Sequence, residues 1–172
     1  MVMVKGIRTF KLKALIDEEL KHLSDPRVPA HIRSLLVEPS VVLRDWDYSE
    51  PVEQYPCWAV LNHDASNTGI AYCENGFGPR RPWGLVALIG NDPKAMSMGM
   101  DTGWFSTFLD AYFESYASGD LPIWRVFKTS PEGVREPITS ENTWAATWEQ
   151  VAEFRKGDSA SRHDCDHGIV YK

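Results

Sequence analysis

Apolar positions in the first forty residues follow the helical period. Leu12, Leu15, Ile16, Leu20 and Leu23 recur at spacings of three and four, with Asp17, Glu18 and Lys21 opposite them, which predicts an amphipathic helix ending near Asp25-Pro26. Pro29 suits a first helical turn, and Ile32, Leu35 and Leu36 form the stripe of a second, shorter helix stopped before Pro39. From Val41 the period drops to two. Residues 41–46, 57–63 and 69–73 predict strands, the last two joined as a hairpin by the turn formers at 64–68. Residues 83–89 are apolar on both faces, as expected of a strand in the middle of a sheet covered on each side.

Helical spacing returns with Phe105, Phe108, Leu109, Tyr112, Phe113 and Tyr116, and Gly119 is placed to end that helix. Residues 122–128 predict another strand. Ser140 can cap a last helix carrying Trp144, Trp148, Val151 and Ala152 and closing near Gly157. Residues 168–171 can add a short edge strand. The expected architecture is α+β: an antiparallel or mixed central sheet of about five strands with an N-terminal helical pair and two further helices. Residues 1–157 are expected to form a single domain and residues 158–172 a C-terminal tail, since no repeat or linker divides the chain.

With a short strand before the first helix, this order of elements is similar to that of the GNAT-type N-acyltransferases. In that family a glycine-rich turn with a basic or glutamine residue follows the central strand and grips the pyrophosphate of coenzyme A. The corresponding stretch here, residues 96–103, offers Gly99, Gly103 and Asp101 but no cation. The resemblance therefore implies an acyltransferase-like topology without that grip, and no cofactor is expected.

Charge narrows the choice of partner. The net charge is -6, and residues 41–120 hold most of the acidity, with four Lys/Arg against eleven Asp/Glu. Such a field repels nucleic acid and attracts a basic protein. Cys57, Cys73 and Cys165 form no CxxC pair, so neither a disulfide framework nor a zinc ribbon follows. No run approaches the ~20 apolar residues of a membrane span, and a cytoplasmic location is expected.

Four stretches can carry chemistry. Residues 76–84 form a Gly/Pro-stiffened loop that holds Arg80 and Arg81 out as a pair able to clamp an anion through guanidinium forks. Asp45 and Asp47 alternate on one side of a strand end, with Trp46, Tyr48, Glu50 and Glu53 beside them; this acidic, aromatic stretch suits a basic partner better than a metal. His163 and His167 flank Asp164, Cys165 and Asp166 but lack a supporting helix, so no metal site is expected there. His63 at the hairpin mouth and Cys73 at a strand end are the components of a nucleophile pair that sequence alone does not bring together.

No GxSxG elbow, Walker loop or HExxH occurs. The expectation is a non-catalytic protein-binding module, in concrete form an inhibitor or immunity-type protein neutralising a basic toxin, with Asp45, Trp46, Asp47, Tyr48, Glu50 and Glu53 as the contact surface. The alternatives are an acyltransferase-like enzyme and a small-anion sensor built on Arg80 and Arg81.

Overall fold

The computed structural model describes residues 9–45, 54–74, 80–88 and 103–172. The alternating stretches pair as a five-stranded sheet in the order β1-β2-β3-β4-β5, formed by Leu36–Asp45, Gln54–His63, Thr68–Tyr72, Trp83–Ala87 and Trp104–Phe105. Each neighbouring pair is hydrogen-bonded and antiparallel. The α+β class and the antiparallel sheet are those the sequence predicts.

Local details differ for physical reasons. The middle strand is β3, because β4 has only the two residues of β5 on its far side, and Ile89 lies outside the described residues. Residues 83–87 are apolar on both faces because both are packed: Trp83 and Leu85 meet the helices, while Val86 joins Ala71 and Leu88 on the other side. Pro39 does not follow a gap after the second helix but lies inside β1, at a register shift between Leu36 and Ser40. An edge strand and a bulge are the places where a missing N–H is tolerated.

Helices α1 (Thr9–Leu20) and α2 (Arg27–Leu35) cover one face of the sheet. Leu12, Ile16 and Leu20 of α1 and Val28 and Ile32 of α2 are buried, as their spacing requires, whereas Leu15 remains largely exposed. They share one core with Val60, Leu61, Ile70, Trp83, Phe108 and Tyr112. Trp83 sits edge-on to Tyr72 and to Phe108, with ring centroids 4.9 and 5.3 Å away. Such pairs add to the energy of area burial.

The predicted long helix at 105–116 is two short ones, α3 (Phe108–Phe113) and α4 (Tyr116–Gly119). Thr107 caps α3 by accepting from the Asp110 N–H, and Glu19 of α1 accepts from the N–H groups of Phe108 and Leu109. At the break, the Ser115 hydroxyl donates to the Tyr112 carbonyl and the buried Ser118 hydroxyl donates to those of Phe113 and Ser115. Serine hydroxyls thus satisfy carbonyls that a continuous helix would have paired. Phe105 falls on β5, and Tyr116 is turned out to solvent, 71% exposed.

A second sheet, in the order β7-β6-β8, is formed by Arg135–Pro137, Trp124–Thr129 and Arg162–His167, with α5 (Trp144–Gly157) packed on β6 and β8. Thr143, not Ser140, is the residue preceding α5. The stretch read as a tail is part of this architecture. β8 pairs with β6 over six residues, and the terminal strand thus lies at 162–167 rather than 168–171. Ile123 and Trp124 belong to the same core as the first sheet. Arg27 of α2 reinforces the junction, donating to Asp25 and to Glu141 at 2.6 and 2.9 Å. Among the described residues no helix is long and apolar enough to cross a membrane.

Two sets of titrating groups predict how stability depends on pH. Burial holds His31 and His167 below the ordinary imidazole value of 6.5. The unfolded chain takes up protons there before the fold does, so stability falls as pH drops below about 6.5. Hydrogen bonds from Arg27 hold Asp25 and Glu141 low, and one from Lys128 brings Asp158 down to about 2. Their contribution is present above the unfolded carboxylate range and is lost as pH falls through the folded values. Burial of Glu19 raises its pKa and acts in the opposite sense, favouring the fold as pH falls. Calorimetry is expected to give a Tm that declines first between about pH 6.5 and 5 and again between about pH 4 and 2. A Tm unchanged from pH 7 to 5 would show that the two imidazoles protonate freely in the fold.

Candidate functional site

The break between α3 and α4 opens clefts on either side of the Glu114–Tyr116 segment. One, of about 200 Å³, is lined by Phe113, Glu114, Ser115, Tyr116, Ser118, Gly119 and Trp144. The other, of about 300 Å³, lies against the first sheet, between the same segment and Thr68, Gly69, Leu85, Val86, Ala87 and Gly103. Gly69 belongs there because a Cβ at that position would stand 2.4 Å from the Leu61 carbonyl oxygen.

The first cleft is aromatic and acidic. Thr147 and Val151 anchor the inner face of α5, which leaves Trp144 and Trp148, one turn apart, stacked at 5.5 Å with their planes 6° apart. They are 42% and 43% exposed. Arg155 lies on the same stripe, its guanidinium carbon 5.3 Å from the centre of the Trp148 ring. Trp144 and Tyr116 are thus two exposed aromatic walls of one cleft that Glu114 also lines. Aromatic faces attract cations, and an adjoining carboxylate adds to that attraction.

The second cleft borders a chain of hydrogen bonds that the sequence reading does not assemble. His63, at the end of β2, is 7% exposed. Its Nδ1 lies 2.7 Å from Ser66 Oγ and its Nε2 2.8 Å from Asp120 Oδ2, while Ser66 Oγ lies 2.6 Å from Thr68 Oγ1. The turn Asp64–Ser66, closed by Asn67 in the left-handed conformation with φ 52°, brings Ser66 back over the histidine. Asp120 arrives from the end of α4, more than fifty residues later in the chain. Nearby, the buried Tyr112 hydroxyl meets His31 Nδ1 at 2.7 Å, and burial raises the tyrosine pKa. His63 at the hairpin mouth and the turn composition at 64–68 are the sequence signals for this cluster; the acid comes from a remote element.

The sites expected from the sequence fare differently. His63 does not pair with Cys73, which packs with Cys57 and Trp104 in a separate buried cluster. Arg80 and Arg81 are exposed on the connection leading into β4 and line neither cleft. Asp45 ends β1, its backbone paired with Gln54; Trp46, Asp47, Tyr48, Glu50 and Glu53 lie outside the described residues.

The 163–167 segment is a strand, which spreads its two imidazoles ~13 Å apart along the chain at about 3.3 Å per residue. His163 is buried and stacks on Phe154, and His167 stacks on Phe113 at 3.9 Å and meets Trp124 edge-on. Between them, burial and the neighbouring aspartates push the Cys165 thiol up to about 11, which leaves it protonated and unreactive near neutrality. Asp164 and Asp166 point away from the rings, and both accept from Arg135. Among the described residues no group of three His, Cys, Asp or Glu is placed to hold a metal ion. Compared with known proteins, the chain matches no family model, no curated protein and no solved structure.

Proposed function

We propose that this chain is a protein-binding module for a basic partner, and that a Lys or Arg side chain of the partner docks between Trp144 and Tyr116. The observation carrying this reading is the cleft those two exposed rings form with Glu114, in a chain of net charge -6. Large aromatic side chains left half exposed on a rigid helix are the usual anchors of protein interfaces. A cation held over such rings contributes about 0.5–2 kcal/mol, more as water is excluded. Asp110 and Asp120, both exposed, extend the acidic surface around the break. An inhibitor that neutralises a basic toxin is the concrete form proposed, with the stretch Asp45, Trp46, Asp47, Tyr48, Glu50 and Glu53 adding to the field that steers the partner in.

Arg/Lys-rich and Asp/Glu-rich peptides of equal length, titrated while the indole N–H signals are followed by NMR, test the chemistry. The basic peptide is expected to shift the Trp144 signal saturably, and Trp144→Ala to weaken binding about tenfold. Capture from the host organism, compared between wild type and Trp144→Ala, then identifies the partner by mass spectrometry. Preference for the acidic peptide, or capture of an acidic protein that ignores the Trp144 substitution, would overturn the reading.

A further inference from the structure

We propose that Ser66, His63 and Asp120 form an acyl-transfer centre in which Ser66 is the nucleophile, and that it hydrolyses esters of short aliphatic acids. This goes beyond partner docking and departs from the sequence expectation of a non-catalytic chain: Thr68, bonded to the proposed nucleophile, lines the cleft on the sheet side of Tyr116, whereas Trp144 lines the other.

The hydrogen bonds run in one direction. Asp120 Oδ2, an acceptor only, lies 2.8 Å from Nε2 and therefore takes the proton of that nitrogen. This leaves Nδ1 of the neutral ring as an acceptor, 2.7 Å from Ser66 Oγ, so the serine hydroxyl points its proton at a base. Ser66 Oγ in turn accepts from the Thr68 hydroxyl at 2.6 Å. The His63 carbonyl, a second acceptor within reach of Ser66, is longer at 3.3 Å, and the Thr68 hydroxyl is free to donate because the serine proton is directed to Nδ1. A nucleophile bonded to a base, with the base oriented by a carboxylate, is the arrangement that activates a serine; the two ring nitrogens have exchanged roles relative to the chymotrypsin-type triad.

Surroundings complete the assignment. His63 is almost wholly enclosed, which holds the ring in one orientation, while Ser66 is half-buried and the Asp120 side chain is 59% exposed, leaving the serine within reach of a substrate. Thr68 also lines the 300 Å³ cleft, whose other walls include Leu85, Val86, Ala87 and Tyr116 together with the polar Glu114 and Ser115. A mostly apolar slot of that size, reaching the Thr68 side chain that is hydrogen-bonded to Ser66, takes a short aliphatic acyl chain; its one charged lining residue among those described is the Glu114 carboxylate, which disfavours an anionic acyl group.

The reaction balances with water as the only co-reactant. Ser66 Oγ bonds to the ester carbonyl carbon as its proton passes to His63 Nδ1. Collapse of the tetrahedral adduct breaks the bond to the alcohol oxygen, which takes that proton and leaves. Water then attacks the acyl-serine, giving its proton to Nδ1, and the serine–acyl bond breaks, with the proton returned to Ser66 Oγ and the carboxylic acid released. Ser66 and His63 are the catalytic residues. Asp120 acts through His63 as a positioning residue, and the Thr68 hydroxyl, 2.6 Å from Ser66 Oγ, helps to orient the nucleophile.

The test uses the unmodified, full-length protein. A fluorophosphonate probe is expected to add one equivalent, located by tandem mass spectrometry on Ser66. p-Nitrophenyl butyrate is expected to be hydrolysed above background, and Ser66→Ala to return the rate to the uncatalysed one. Asp120→Asn, at an exposed position, is expected to keep the melting transition while slowing labelling about 10²-fold or more and shifting its pH profile. Absence of a Ser66 adduct on folded protein, under conditions that label a control serine hydrolase, would overturn the proposal. So would an adduct on a different residue, ester hydrolysis retained in Ser66→Ala, or labelling of Asp120→Asn at the wild-type rate and pH profile.

Discussion

Truncation after Gly157 is expected to abolish cooperative folding. The deleted segment contains β8, one of two strands flanking β6, and with it six residues of antiparallel pairing. His163 is 2% exposed, and Cys165 and Ile169 pack against the main core. The His167 ring fills the space over Phe113, and its loss would expose that ring and Trp124 together. Arg135 would lose both of its carboxylate partners, and Lys128 would lose Asp158. The last residues also return to the turn after the first helix: Ser24 donates to the Val170 carbonyl and the Lys172 N–H to that of His22, at 2.9 and 2.6 Å. A domain stabilised by about 5–15 kcal/mol does not survive loss of a strand, its ring contacts and its ladder. Circular dichroism is expected to show a broad, non-cooperative melt for residues 1–157, with dye binding to exposed apolar surface. A sharp melt within a few degrees of the full chain would mean that β6 finds its packing without β8.

Replacement of Phe108 by Ala is expected to cost about 3–5 kcal/mol. The side chain is fully buried, in edge contact with Trp83 and in the cluster that also holds Leu12, Ile70 and Tyr112. Its site cannot collapse easily, because the α3 backbone on which it stands is clamped by Thr107 and by the Glu19 carboxylate. For a chain of this size the loss corresponds to a fall in Tm of roughly 6–20 °C. Phe10, 60% exposed at the start of α1, is the control. Its replacement by Ala is expected to change stability by under about 0.5 kcal/mol. Urea denaturation of both variants separates the cases, and a Phe108→Ala midpoint equal to that of Phe10→Ala would refute the packing described.

Much of the fold was legible because its signals are local. The 3.6 period of Leu12, Ile16 and Leu20 and the two-residue period of β2 and β3 follow from which side chains must face one core, so neighbours in sequence reveal them. The turn formers at 64–68 likewise marked their hairpin without help from distant residues. The apolar stripe from Phe108 to Phe113 foretold burial correctly but not continuity. Whether Ser115 and Ser118 stay silent in a helix or take its carbonyls depends on what packs around them, and a helical wheel does not contain that.

The candidate site was the least legible part, and for the same reason. His63 and Ser66 are three residues apart, yet their third member, Asp120, is supplied by the end of α4, and only the docking of that helix against the β2–β3 hairpin makes the three a unit. Trp144 and Tyr116 become two walls of one cleft only because the chain breaks at Ser115 and turns the tyrosine out. The 162–167 strand shows the limit most clearly. Its histidines, cysteine and aspartates read as polar and terminal, but imidazole rings are flat and able to stack, and Phe113, Phe154 and Trp124 bury them. By itself the sequence determined the class of fold, the faces of α1 and the order of most strands, all of which rest on periodicity within a segment. Tertiary structure alone decided where helices break, which polar groups meet and what lies inside at the C-terminus, because each of those is an energy of contact between segments far apart in the chain.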